Sequence, residues 1–152
     1  MTFEVARFRP EDQAEVRALI LDGLEEHWGS IDPTLNPDLD DIGATYGHGT
    51  ILVARIEGRI VGVGMLVPAG PGEGEVKRMS VAREHRRTGV AAALLRELVA
   101  IARQQGRRAV VLETTATWTD AVQFYESFGF VFTHDEVGPF GRDAHFRLDL
   151  TS

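Results

Sequence analysis

Apolar residues at Val16, Leu19, Ile20 and Leu24 recur at helical spacing, and predict a helix over Glu11 to His27. Ahead of it, Phe3, Val5 and Phe8 alternate through Thr2 to Arg9, a short strand that Pro10 stops. Gly29 to Gly49 has no clear period. Pro33, Pro37 and several aspartates leave room there for a short helix at most, around Asp38 to Tyr46. The run TILVARIEGRIVGVGML then reads as two strands turning at Glu57-Gly58. A glycine-rich turn, Pro68 to Glu75, leads into a third run, Val76 to Val81.

Val90 to Gln105 carries the clearest helical period. Val90, Leu94, Leu98 and Ile101, with Ala91, Leu95 and Ala102, form a broad apolar face, and Gly106 supplies the stop. AVVLETT is a continuous apolar run, as in a strand covered on both faces. In TDAVQFYESFGF, residues Ala121, Phe124, Tyr125 and Phe128 share one face of a short helix ended by Gly129, and Thr117 and Asp120 are spaced to cap it. Strands over Phe130 to Asp135 and Ala144 to Leu150 complete the chain.

The order is β-α-(α)-β-β-β-α-β-α-β-β. It predicts a single α/β (α+β) domain over residues 1–152. Its sheet is mixed, mostly antiparallel, of about six to seven strands, with a central parallel β-α-β unit and helices on both faces. Ligands gather beyond the carboxyl ends of parallel strands in such sheets. That directs attention to Ser80 through Thr88.

Composition narrows the setting. With 43% apolar residues the chain can bury a substantial core, and with no cysteine it has neither disulfides nor thiolate metal ligands. No run of about 18 apolar residues is present, so no membrane span is expected. MTFEVARFRPED has acids where a signal peptide needs an apolar core, so a soluble cytoplasmic protein is expected. The net charge of −7 argues against a nucleic-acid-binding surface.

Against that acidity, Arg78, Arg83, His85, Arg86 and Arg87 crowd together just before Thr88-Gly89-Val90-Ala91. A helix N-terminus offers unpaired amides and the positive end of the helix dipole, and a glycine there lets the main chain approach a phosphate. The same residues also fit a solvated basic loop with Gly89 as a plain turn residue. The Walker pattern is absent, and Gly62-Val63-Gly64 lies inside the hairpin with Val67 at the third glycine position of a dinucleotide fingerprint.

What remains is Arg-x-x-Gly-x-Ala at the start of a crossover helix, after EVKRMSV, followed by VVLETT and a Tyr-x-x-x-Gly-Phe pattern at Tyr125, Gly129 and Phe130. Over nearly the whole chain this resembles the GNAT family of N-acetyltransferases. The resemblance implies acetyl-CoA as co-substrate, its pyrophosphate at Arg86, Arg87, Thr88, Gly89, Val90 and Ala91, and its pantetheine arm along Met79, Ser80 and Val81. It implies that a backbone N–H, at Met79, faces the thioester oxygen, and that Tyr125 protonates the departing sulfur. Glu75 stands where several relatives keep a general base, and equally suits a solvated hairpin position. Trp118 stands where relatives often carry a cofactor-contacting asparagine, which leaves it as a cap residue or a cofactor-facing surface.

Glu113, an acid in an apolar run, needs a partner, and reads either as a structural ion-pair member or as a cleft residue steering a cationic amine. His27 and Trp28 close the first helix, where similar enzymes wall the acceptor pocket, and packing explains them as well. The five histidines are scattered without metal-ligand spacing, so no metal is expected. The implied reaction is direct transfer of acetyl to a primary amine of a small molecule or peptide in a ternary complex. A non-catalytic acyl-CoA-binding module is the alternative. Dimers are common among similar proteins, so a homodimer stays open.

Overall fold

The computed structural model describes residues 2–139 and 141–150. Seven strands form one sheet: β1 (Glu4–Arg7), β2 (Thr50–Ile56), β3 (Arg59–Pro68), β4 (Glu73–Val81), β5 (Ala109–Thr115), β6 (Val131–Gly138) and β7 (Gly141–Asp149). Their spatial order is β1-β2-β3-β4-β5-β7-β6, and only β4 and β5 run parallel among these pairs. The helices are α1 (Gln13–Trp28), α2 (Ile42–Tyr46), α3 (Val90–Gln104) and α4 (Thr119–Phe128).

The Glu57-Gly58 turn joins β2 to β3 with positive φ at both residues, 51° and 81°, the handedness that suits a tight hairpin between twisted strands. The apolar periods then divide the core between the two faces. Leu94, Leu95, Leu98, Ile101 and Ala102 of α3 pack with Leu52, Ala54, Val76, Val110, Leu112 and Phe146. Val16, Ile20 and Leu21 of α1 pack on the other face with Ile51, Val53, Val63, Met65 and Val67. At Gly62 in β3 an added Cβ would stand 2.7 Å from Val90 Cγ1, so the absent side chain is what lets α3 lie so close to the sheet.

Boundaries differ from the sequence reading in four places. The third run begins at Glu73, because Ala69 and Glu73 exchange a turn hydrogen bond that shortens the glycine-rich loop. The strands expected over Phe130 to Asp135 and Ala144 to Leu150 extend toward each other into a hairpin, with Gly138 paired to Gly141. Asp38 to Tyr46 splits into a 3-10 turn, Pro37–Leu39, and α2, whose Ala44 amide is accepted by the Asp41 side chain. Finally, Thr117 does not cap α4. Trp118 occupies the cap position without a side-chain hydrogen bond, so the expected capping pair does not form.

Candidate functional site

The site follows from an unfinished strand pairing. β4 and β5 are in register only over Glu73–Ala109, Gly74–Val110 and Glu75–Val111. Past that point β5 stays paired with β7 as far as Thr115, while β4 stays paired with β3. The two parallel strands therefore part, and their exposure rises where they do: Lys77 to Val81 and Glu113 to Thr115 are accessible, whereas Val76 and Leu112 are buried.

A β-bulge shapes the β4 wall of this cleft. Val63 pairs with Ser80 but Met65 pairs with Lys77, so Arg78 and Met79 together face Gly64. Arg78 takes up the extra residue with a left-handed φ of 51°. Its side chain does not enter the cleft. It donates to both carboxylate oxygens of Asp38, at 2.9 and 2.7 Å, and to Asn36 at 3.2 Å, while the Tyr46 hydroxyl donates to Asp38 at 2.6 Å. Burial favours a protonated Asp38, but these donors outweigh it and hold the carboxyl below its ordinary range. Ser80 meets α1, where a Cβ on Gly23 would stand 3.0 Å from its Oγ.

At the end of β4 the chain turns through Arg83–His85 into α3. Arg87 and Gly89 both adopt positive φ, 62° and 90°, and Gly89 is the N-cap residue of α3. No atom would meet a Cβ on Gly89, so glycine is required there by backbone conformation rather than by room. The first helical bond is Ala93 N–H to Gly89 O at 3.0 Å. Among the described residues, no backbone carbonyl or side chain accepts from the amides of Arg87, Thr88, Gly89, Val90, Ala91 or Ala92. Thr88 turns its hydroxyl back to the His85 carbonyl.

The two arginines of the loop differ. Arg86 is held by a bidentate pair with Glu26 of α1, at 2.6 and 2.7 Å, and donates to the Val81 carbonyl at 3.2 Å. Glu26 is correspondingly pulled below its ordinary range by the Arg86 hydrogen bonds. Arg86, expected at the anion site, has its guanidinium engaged by Glu26, which fastens the loop to α1. Arg87 is exposed and has no ion-pair partner among the described residues, so it is the loop arginine whose charge is free.

Tyr125 of α4 is buried against Phe124 and Phe130, with ring centroids 5.2 and 5.9 Å away. Desolvation pushes its phenol above the ordinary value. Its hydroxyl has no hydrogen-bond partner, yet the one unpartnered, fully covered side-chain polar atom among the described residues is His145 Nε2. The phenolic oxygen therefore touches accessible space. Glu75 closes the parallel register opposite Val111 and lies 3.6 Å from the Lys77 ammonium, with about a quarter of its side chain exposed at 24%. Glu113 is half-exposed in β5, across from His145 of β7, whose Nε2 lies 3.4 Å from the Glu113 carboxylate.

His27 and Trp28, at the end of α1, meet Trp118 at the end of the β5–α4 connection. His27 stacks on Trp118 at 4.1 Å and 14°, and Trp28 is tilted against it at 5.6 Å. These three residues come together, as aromatic packing between α1 and the start of α4. Sequence reasoning did not find Glu26, Asp38 or the pairing of His134 with His145. The first two act across long separations, and strand register rather than sequence spacing brings the histidines together.

Residues 14–130 match the model of the acetyltransferase (GNAT) family. A probable N-acetyltransferase family 8 member 5 of Mus musculus is 38% identical over 103 residues, 63% of this chain and 45% of that protein. The chain thus spans about half the length of such relatives. An uncharacterised N-acetyltransferase of Schizosaccharomyces pombe is 31% identical over 150 residues, covering 93% of this chain and 91% of that one. A Staphylococcus aureus GNAT acetyltransferase structure superposes with a TM-score of 0.88 at 20% identity, over 99% and 100% of the two chains. The paiA N-acetyltransferase of Thermoplasma acidophilum, solved in complex with coenzyme A, gives a TM-score of 0.82 at 15% identity, over 98% and 99%. Among the described residues no helix is long and apolar enough to cross a membrane.

Proposed function

The chain belongs to the acetyltransferase (GNAT) family, and from that premise we propose that it moves the acetyl group of acetyl-CoA to a primary amine of a small molecule or peptide by direct attack. The observation that carries this reading is the row of unpartnered amides from Arg87 to Ala92, beside the cleft where β4 and β5 part. Such amides, with the helix dipole behind them and the Arg87 charge beside them, suit a diphosphate. Coenzyme A in the Thermoplasma relative is consistent with a ligand of this kind.

Acetyl-CoA supplies the activated acyl group. Met79, Ser80 and Val81 lie on the β4 wall of the cleft and pair with the pantetheine arm through their main chain. In this reading the Met79 amide, beside the bulge at Arg78, stabilises negative charge on the thioester oxygen as the amine attacks. Tyr125 gives its proton to the departing thiolate, since an accessible phenol with no competing acceptor holds that proton throughout neutral pH. Glu75, 3.6 Å from the Lys77 ammonium, removes the proton of the incoming ammonium directly or through water. Glu113, His27 and Trp28 face the acceptor, with Trp118 between the acceptor and the cofactor.

A second reading, an acyl-CoA-binding module without turnover, draws on Trp118 standing where relatives place an asparagine. CoA-thiol release measured over a panel of amines tests the proposal. Release with at least one amine supports transfer, and acetyl-CoA binding without release across the panel supports the module. Failure of acetyl-CoA to bind would remove both.

A further inference from the structure

Bordering the cleft at Glu113, β6 and β7 bring together three donors, His134, Glu136 and His145, that the proposed transfer does not use. His134 and His145 are register partners whose rings stack at 4.3 Å and 9°. His134, Glu136 and His145 each offer one ligand atom, and these atoms all lie within 4.8 Å of one another. Glu136 stands between the two imidazoles, 3.2 Å from His134 Nε2 and 3.7 Å from His145 Nε2. Glu113 adds a second carboxylate 3.4 Å from His145 Nε2.

Two details separate this group from an ordinary surface ion pair. The Thr133 hydroxyl donates to the His145 carbonyl at 3.2 Å and lies 3.0 Å from His134 Nδ1, at hydrogen-bonding distance. His134 Nε2 in turn lies 3.2 Å from a Glu136 carboxylate oxygen, at hydrogen-bonding distance. Hydrogen bonding at the far ring nitrogen is also how metal-binding imidazoles are oriented. His145 Nε2, for its part, is covered and makes no hydrogen bond despite two carboxylates close by. The stacked rings lie in near-parallel planes, so a cation shared by both imidazoles requires one ring to tilt toward the other.

We propose that His134, Glu136 and His145 bind a borderline divalent cation of the zinc class, with Glu113 at its edge. Four-coordinate zinc holds nitrogen and oxygen ligands at about 2.0–2.2 Å, which sets neighbouring donors ~3.4 Å apart. The carboxylate–imidazole separations of 3.2, 3.4 and 3.7 Å lie near that edge, and the three donors, within 4.8 Å of one another, draw closer round a cation. Two imidazoles with carboxylates favour zinc, nickel or cobalt over magnesium or calcium, which prefer all-oxygen shells. Three protein donors leave a fourth position for water. The cation fastens β6, the edge strand, to β7, and by way of Glu113 reaches β5.

The test is calorimetric titration of the tag-free full chain with zinc chloride, repeated with cobalt while following visible absorption. One saturable site and a cobalt band of tetrahedral intensity are expected. His134→Gln and Glu136→Gln, both exposed on the edge strand, and His145→Gln should each weaken zinc binding at least tenfold. His48→Gln and His85→Gln should bind as the wild type does. Absence of saturable binding overturns the proposal, as does wild-type affinity in the His134→Gln and His145→Gln proteins when circular dichroism shows them folded.

Discussion

Arg78, the left-handed residue of the β4 bulge, donates through Nη2 and Nε to the two carboxylate oxygens of Asp38, at 2.7 and 2.9 Å. The segment from Gly29 to Gly49, which has no hydrophobic period, is thereby pinned to the strand that forms one wall of the cleft. Asp38 also accepts from the Tyr46 hydroxyl, so α2 is drawn into the same network. Asp38→Ala leaves Arg78 largely covered without its counter-charge, and should cost about 2 kcal/mol in urea unfolding. Turnover should fall as well, because the bulge loses its outer support. Unchanged stability and rate in this variant would show that the bulge holds its shape without Asp38.

Acid should destabilise the fold through the same carboxylate. Asp38 and Asp12 both lie below their ordinary range in the folded chain, where arginine donors outweigh the burial that acts against them. Asp12 is held by Arg55 at 2.5 Å and by the Arg9 amide at 2.9 Å. A depressed folded value means that the stabilisation is complete above the unfolded carboxylate range, about 4, and is lost as pH falls through the lower folded values. Urea midpoints should therefore be flat from neutrality to about pH 5 and drop below it. In Asp38→Asn the drop should be shallower; an identical acid limb in variant and wild type would contradict the assignment.

Tyr125→Phe should lower turnover by about a hundredfold, the usual scale for losing a positioned acid, with acetyl-CoA affinity within about twofold of wild type. Stability should not suffer, because the hydroxyl has no protein partner to lose. Steady-state kinetics, calorimetry and melting temperature together check these points. A rate equal to wild type would take Tyr125 out of the reaction.

Arg87 and Arg86 should respond differently to loss of their positive charge. Arg87→Glu should weaken acetyl-CoA binding at least tenfold and flatten its dependence on salt, since this guanidinium is exposed and unengaged. Arg86→Gln breaks the pair with Glu26 and should chiefly lower the melting temperature, with a smaller effect on affinity. Isothermal titration at two salt concentrations, beside thermal melts, distinguishes the pattern; the reverse order of effects would contradict the division of labour between them.

Much of this architecture was legible in the chain. Leu94, Leu98 and Ile101 repeat closely enough to fix α3, and the unbroken AVVL of β5 marks a strand covered on both faces. Arg-x-x-Gly-x-Ala located the helix start, because a left-handed cap demands glycine at that one position. Relationships set by tertiary register were not legible. A bulge at Arg78 puts a non-glycine residue at positive φ, for which no residue pattern exists. Glu26 reaches Arg86 across 60 positions of sequence, and His134 meets His145 only because a bulge after Phe132 shifts the β6–β7 pairing. Thr117 matched the residue type of a cap, yet the chain places Trp118 there instead.

The amide resonances of Thr88, Gly89, Val90, Ala91 and Ala92, followed in nitrogen–proton correlation spectra while coenzyme A is added, test the central claim most directly. Large, saturable and concerted shifts of these signals, matched by weaker binding in Arg87→Glu, are the result expected of a main-chain cradle for the diphosphate. Saturable binding that leaves these five signals in place and moves others would contradict it.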